Sequence, residues 1–223
     1  MRILLTGATG MVGGHVLKLC LGRDDVRGVT TVGRRATGLG HDKLDEVVHA
    51  DFDDFTPIAE RFEGHDAAIY CAGVYTGSVP DDAFRRITVD HVVRFAAALH
   101  ATNPRAVFCL LSGQGADPTE KSRMAFARYK GAAENALRAQ GFARVHLFRP
   151  GYIYPVEPRQ EPNLSYRVFR SLWPAIRAVA PNMGIASDQL ARAMVIAAID
   201  GTGEHADPVL ENADIRRLAG VTS

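Results

Sequence analysis

A chain of 223 residues that is 47% hydrophobic and 23% charged has enough apolar material for one packed domain and the balance of an ordinary globular protein. Its 26 Lys and Arg against 25 Asp and Glu leave a formal net charge of +1, which argues against nucleic acid or an acidic membrane surface as the main partner. Cys20, Cys71 and Cys109 have neither CxxC nor metal-ligand spacing and the eight histidines form no cluster, so no metal site is expected. Each cysteine lies inside an apolar stretch, which suits buried thiols in a reducing cytoplasm. The chain enters an apolar strand at once, which leaves no room for a signal peptide, and no apolar run approaches the roughly 18 residues needed to span a bilayer.

In chain order, Arg2–Thr6 reads as a short buried strand. Gly7, Gly10 and Gly13 follow at G-x-x-G-x-x-G spacing, and then a helix with Val12, Val16, Leu19 and Cys20 on one face. Strand, glycine turn and helix in that order form the setting in which a glycine triplet binds a dinucleotide. One glycine permits the tight turn, another lets the backbone approach a pyrophosphate, and the third lets helix and strand pack closely. The N–H groups and positive dipole end of the new helix would face the phosphates. An ordinary turn is the alternative reading of the glycines taken alone.

Gly28–Gly33 reads as a second strand ending in Arg34 and Arg35, and residues 44–50 as a third, closed by Asp51-Phe52-Asp53-Asp54. Thr56 and Pro57 start a short helix that Gly64 ends. Residues 67–73 form an apolar run of the kind buried on both sheet faces. A helix over about 81–100, a strand over 105–111, a helix over about 121–140 and a strand over 144–148 follow. Ser187-Asp188-Gln189 is expected to cap a helix through Ile199, before a short strand over 208–211 and a last helical turn from Asp214.

This alternation implies βαβ units with right-handed crossovers. The expected fold is an α/β, three-layer, doubly wound parallel sheet in a single domain over residues 1–223. Residues 152–186 differ, with Pro155, Pro158, Pro162, Pro174 and Pro181 among Tyr152, Tyr154, Tyr166, Phe169 and Trp173. They read as a small substrate lobe over the carboxyl ends of the strands, where such sheets bind ligands.

Six segments together resemble the short-chain dehydrogenase/reductase superfamily, in particular its atypical and extended, epimerase/dehydratase-like members. They are residues 6–13, Val32-Gly33-Arg34-Arg35, Cys71-Ala72-Gly73, Leu111-Ser112-Gly113-Gln114-Gly115-Ala116-Asp117, Lys130-Gly131-Ala132-Ala133-Glu134, and Arg149-Pro150-Gly151-Tyr152-Ile153-Tyr154-Pro155. The resemblance implies a Rossmann fold with cofactor contacts at Gly7, Thr9, Gly10, Met11, Val12, Gly13, Cys71, Ala72, Gly73, Lys130, Pro150, Gly151 and Ile153. It also sets Asp51 and Phe52 beside the adenine.

Cofactor choice follows from charge. NAD enzymes of this fold place a carboxylate at the end of the second strand for the ribose 2′-hydroxyl, whereas here that strand ends in Arg34 and Arg35. A carboxylate would repel a 2′-phosphate and a guanidinium can hold one through paired donors, so NADP is expected over NAD. Two solvated surface arginines are the alternative.

Catalysis by resemblance needs a tyrosine one helical turn before a lysine. Lys130 is present, but position 126 is Phe126, and Tyr129 lies about 100° round the helix from Lys130. Ser112 would orient a substrate oxygen, Lys130 would hold the nicotinamide ribose, and Tyr152 is a candidate hydroxyl from the lobe. Each has a plain alternative as a turn serine, a solvated lysine or a packing tyrosine. The first expected function is an NADP-dependent oxidoreductase of a small-molecule substrate. The second is a non-catalytic dinucleotide-binding redox sensor or partner-binding regulator, and a nucleotide-sugar epimerase or dehydratase is the third. A monomer or homodimer is expected.

Overall fold

The run Arg2–Thr6 forms β1, where Ile3, Leu4 and Leu5 are fully buried because helices cover both faces of the strand. The structure, a computed structural model, describes residues 1–157, 181–203, 205 and 207–221. From β1 the chain continues through α1 (Met11–Leu21), β2 (Gly28–Gly33), β3 (Leu44–Val48), a 3-10 turn (Thr56–Phe62) and β4 (Ala67–Tyr70). Next come α2 (Asp81–Arg85), a π turn (Arg86–Asp90), α3 (His91–Thr102), β5 (Val107–Leu111), α4 (Ala125–Ala139) and β6 (Arg144–Arg149). The described remainder is β7 (Tyr152–Tyr154), a 3-10 turn (Pro181–Met183), β8 (Gly184–Ala186), α5 (Ser187–Ile199), β9 (Val209–Glu211) and α6 (Asn212–Leu218).

Among the described residues the main sheet has seven strands in the order β3-β2-β1-β4-β5-β6-β9, every pair parallel. The odd residues Ile3 and Leu5 face Val16, Leu17 and Met194 of α1 and α5, while Leu4 faces the opposite layer with Phe95 of α3 and Leu137 of α4. This is the doubly wound, three-layer Rossmann sheet that the sequence implies. The winding reverses between β1 and β4, so a crevice opens at their carboxyl ends, where open α/β sheets bind ligands. Under it lies an aromatic cluster in which Phe62 and Phe95 meet edge to face with centroids 5.1 Å apart.

Several element boundaries differ from the sequence reading. The run over 67–73 leaves the ladder after Tyr70, and Cys71-Ala72 passes beneath the glycine turn, with the Cys71 N–H on the Thr6 carbonyl at 3.2 Å. The single helix expected over 81–100 is three pieces, because the His91 N–H reaches back five residues to the Arg86 carbonyl. The wider turn brings Phe84 and Val89 onto one face, against Tyr129, which a uniform 3.6-residue helix would not do. α4 begins four residues later than expected, because the Asp117 carboxylate accepts the N–H groups of Thr119, Lys121 and Ser122 and holds 117–124 as a turn. Ser187 is the first residue of α5 rather than its cap, and its hydroxyl accepts the Val156 N–H at 3.3 Å. Of the lobe, β7 and β8 pair in parallel; Pro158, Pro162, Tyr166, Phe169, Trp173 and Pro174 lie outside the described residues.

Candidate cofactor and catalytic site

The glycine turn is built from backbone in contact with backbone. Gly7 sits at φ +74°, and a Cβ there would stand 2.7 Å from the Cys71 carbonyl carbon. A Cβ at Gly13 would stand 2.1 Å from the Gly7 carbonyl oxygen, so this glycine lets α1 lie against β1. The Gly10 N–H closes the turn on the Gly7 carbonyl at 2.8 Å, and the Gly14 N–H makes the first bond of α1, to the Gly10 carbonyl. The N–H groups of Met11, Val12 and Gly13 therefore have no helical acceptor, no side chain caps them, and no acidic residue stands in the first turn. Thr9 and Gly10 are exposed. An anion placed there would meet free donors and the positive end of the helix.

The other cofactor residues from the sequence lie round this crevice, with one qualification. Arg34 and Arg35 are exposed immediately after β2. Ala72 donates its N–H to the Thr6 hydroxyl at 3.3 Å, and Gly73 is exposed beyond it. The Cys71 thiol is directed into the core, 4.0 Å from the Met194 sulfur, and burial pushes its pKa up. Asp51 is exposed, but the Phe52 ring is buried against Phe55 and His91, with centroids 5.3 and 5.7 Å away. Phe52 thus belongs to the aromatic core and offers a ligand little beyond its backbone.

A second group gathers at the ends of β5 and β6. Ser112 continues their pairing through its N–H on the Phe148 carbonyl at 2.8 Å, and its hydroxyl donates to Glu134 Oε1 at 2.5 Å. Glu134 is 1% exposed and also accepts Arg149 Nε at 3.0 Å and Nη2 at 2.5 Å, a two-pronged ion pair. Arg149 reaches on to Glu211 of β9 at 3.3 Å. One turn before Glu134, Lys130 donates Nζ–H to the Leu111 carbonyl at 3.1 Å. Burial pushes the Lys130 ammonium down to about 8, against Glu134, which favours the charged form.

The ring of Phe126 lies on Gly113: a Cβ on that glycine would be 2.5 Å from Phe126 Cζ. The helix position that would carry a hydroxyl is instead an apolar cover on the loop after β5. Tyr129 does not substitute for it, because its hydroxyl donates to Asp81 Oδ2 at 2.6 Å, with its ring beside Phe84. Tyr152 on β7 pairs with Gly184, and its hydroxyl is enclosed by the protein. Pro150 is buried and Ile153 packs on the core under α5. Gly151 is pressed against Met183, where a Cβ would be 2.3 Å from the carbonyl oxygen.

Residues 7–171 match the model of a family described as NAD(P)H-binding. The chain belongs to that family. This NAD(P)H-binding protein is 30% identical over 174 residues to protein HTATIP2 of Rattus norvegicus, a match covering 76% of this chain and 71% of the rat protein. It is also 30% identical over 164 residues to the mitochondrial protein fmp52 of Emericella nidulans, over 68% of this chain and 66% of the fungal one. The chain thus spans slightly less than two thirds of that fungal relative. Among solved structures it is similar to the enzyme WbmH of Bordetella bronchiseptica in complex with NAD+, with TM-score 0.67 and 20% identity over 91% of this chain and 72% of that one. It is likewise similar to the short-chain dehydrogenase/reductase YIR035C of Saccharomyces cerevisiae, with TM-score 0.66 and 15% identity over 100% and 99% of the two chains. These two likenesses show a shared Rossmann architecture. The turn between β1 and α1 fits the dinucleotide, since only glycine is tolerated at Gly7 and Gly13 and the first-turn donors are uncapped.

The sequence reading assigned no role to Glu134 and Arg149. The spacing of Lys130 and Glu134, four residues apart on a helix, puts them on one face and could have drawn notice. Asn212 was missed as well. It accepts the Gly151 N–H at 3.1 Å and donates to the Asn182 and Gly184 carbonyls at 3.0 Å, binding the turn after β6 to β8. No local pattern announces a contact across 61 residues.

Proposed function

We propose that this protein is an NADP(H)-preferring oxidoreductase of a small-molecule substrate. The observation that carries the preference is the pair Arg34 and Arg35, exposed at the end of β2 and without a hydrogen bond or ion pair to any described residue. Two unmatched guanidiniums beside a phosphate-binding turn suit a 2′-phosphate, and no carboxylate follows until Asp42. Bound in the crevice, the reduced dinucleotide would supply a hydride. The residues at the end of β5 would do the rest: the Ser112 oxygen accepts from a substrate hydroxyl group, and Lys130 holds a cation beside it. The free thiols of Cys20, Cys71 and Cys109 suit a reducing compartment, and we propose the cytoplasm.

Fluorescence titration with NADPH and NADH tests the preference. Replacing Arg34 and Arg35 with Ala should weaken NADPH by roughly 10- to 100-fold or more, as expected for losing the charged hydrogen-bonding partners of a phosphate, and leave NADH nearly unchanged. Equal losses for both cofactors would overturn the NADP assignment. The second reading, a dinucleotide-binding redox sensor or regulator, draws on Phe126 lying over Gly113 in place of a hydroxyl. NADPH binding with no carbonyl reduction across a substrate panel would favour it.

A further inference from the structure

We propose that Lys130 itself gives and takes the reaction's proton, in the place a tyrosine hydroxyl would hold if position 126 carried one. The inference rests on the oxidoreductase reading above and goes beyond it by assigning the proton. It follows from where each proton at the ends of β5 and α4 is committed. Phe126 has none to give, and its ring occupies the space over Gly113. The Tyr129 hydroxyl is spent on Asp81 at 2.6 Å. The single proton of the Ser112 hydroxyl points to Glu134 at 2.5 Å, so Ser112 can accept from a substrate but has nothing to donate. Lys130 uses one of its three N–H bonds, on the Leu111 carbonyl at 3.1 Å, and the other two engage no described residue.

The charged surroundings keep that ammonium labile. On its own helix Glu134 faces it, and Arg149 from β6 already matches Glu134. Asp81 of α2 is taken by Tyr129, Asp90 of the π turn pairs with Arg85 at 3.1 Å, and on the strand side the Leu111 carbonyl accepts the Lys130 N–H. Burial therefore outweighs Glu134, and the group titrates near 8, close enough to neutrality for acid–base work. In the reducing direction the substrate's carbonyl carbon takes the hydride that the reduced dinucleotide supplies. Its oxygen takes a proton from Nζ: an N–H bond breaks, an O–H bond forms, and the neutral amine left behind is reprotonated from solvent.

NMR of cofactor-free protein with 13C-labelled lysine follows the titration directly, since the chain has four lysines, Lys18, Lys43, Lys121 and Lys130. The resonance lost in Lys130→Met should titrate near pH 8; a Lys130 midpoint near the ordinary lysine value of about 10.4 overturns the proposal. With 4-nitrobenzaldehyde and NADPH, the wild-type rate should fall tenfold per pH unit above about 8, because the protonated form is the donor. Lys130→Arg keeps the charge and cannot release the proton. At saturating NADPH it should lose roughly 100-fold or more in reduction at every pH. If it reduces the aldehyde at the wild-type rate, the proposal falls while the oxidoreductase reading stands. Wild-type protein that fails to bind NADPH, or binds it and reduces none of the aldehyde, removes that reading and the proposal together. Should Lys130→Arg not fold, the wild-type titration and pH profile decide the matter.

Discussion

The two halves of the site are made of different material. At the end of β1 the functional groups are backbone N–H donors, and the constraint on sequence is the absence of a Cβ at Gly7 and Gly13. At the ends of β5 and β6 the functional groups are side chains, Ser112, Lys130, Glu134 and Arg149, joined by charge-assisted hydrogen bonds between elements far apart in the chain. A backbone site tolerates nearly any change that keeps the turn, whereas a side-chain site changes its chemistry with one replacement. That contrast explains how the chain keeps an intact dinucleotide turn beside a helix, α4, that carries Phe126.

The sharpest way to break the comparison is to remove the hub of the side-chain half. Glu134→Ala leaves Arg149 mostly buried with Glu211 as its one remaining acidic partner among the described residues, and urea unfolding should show a loss of about 3–5 kcal/mol. The backbone half should resist even a methyl group: Gly13→Ala places a carbon against the Gly7 carbonyl with no flexible side chain to yield, at a cost of about 3 kcal/mol, together with loss of NADPH binding. An unchanged midpoint in either variant would contradict the account of that half.

Lys130 separates function from stability by pH. Its folded pKa of about 8 lies below the usual lysine value, so between those two values the unfolded chain holds a proton that the folded chain has lost. Stability should therefore rise with pH across that window. Below it, the buried ammonium opposes folding. Lys130→Met should be more stable than wild type at pH 7, by about 3 kcal/mol, with the gain vanishing above about pH 10.5. Denaturant midpoints of the two proteins at pH 7 and pH 10.5 check this.

Two smaller changes refine the account of α4. Gly113→Ala should cost about 1–2 kcal/mol by pushing on the Phe126 ring, and Phe126→Leu in the same chain should relieve most of that loss. Additive losses in thermal unfolding would mean the ring is not what the methyl group meets. Tyr129→Phe removes the bond to Asp81 and should cost about 1 kcal/mol while leaving the pH profile of reduction unmoved. A shifted profile would make Tyr129 part of the proton path.

Local chemistry was enough to mark the strands of the main sheet, the glycine turn and the arginines after β2, because hydrophobic period, glycine freedom and charge act over a few residues. It was also enough to find Phe126 one turn before Lys130. Interactions across longer distances set the boundaries and the wiring. The π turn at 86–90 exists because Phe84 and Val89 must both meet Tyr129, and α4 starts late because Asp117 binds the turn before it. Phe52 faces the aromatic core rather than a ligand for the same reason: Phe55 and His91 surround it. By itself the sequence determined the doubly wound sheet and the phosphate turn. Only the tertiary structure decided that the Ser112 proton goes to Glu134, that Arg149 balances it, and that Lys130 is left desolvated with protons to spare, because desolvation and ion pairing depend on what α4, β5 and β6 bring together.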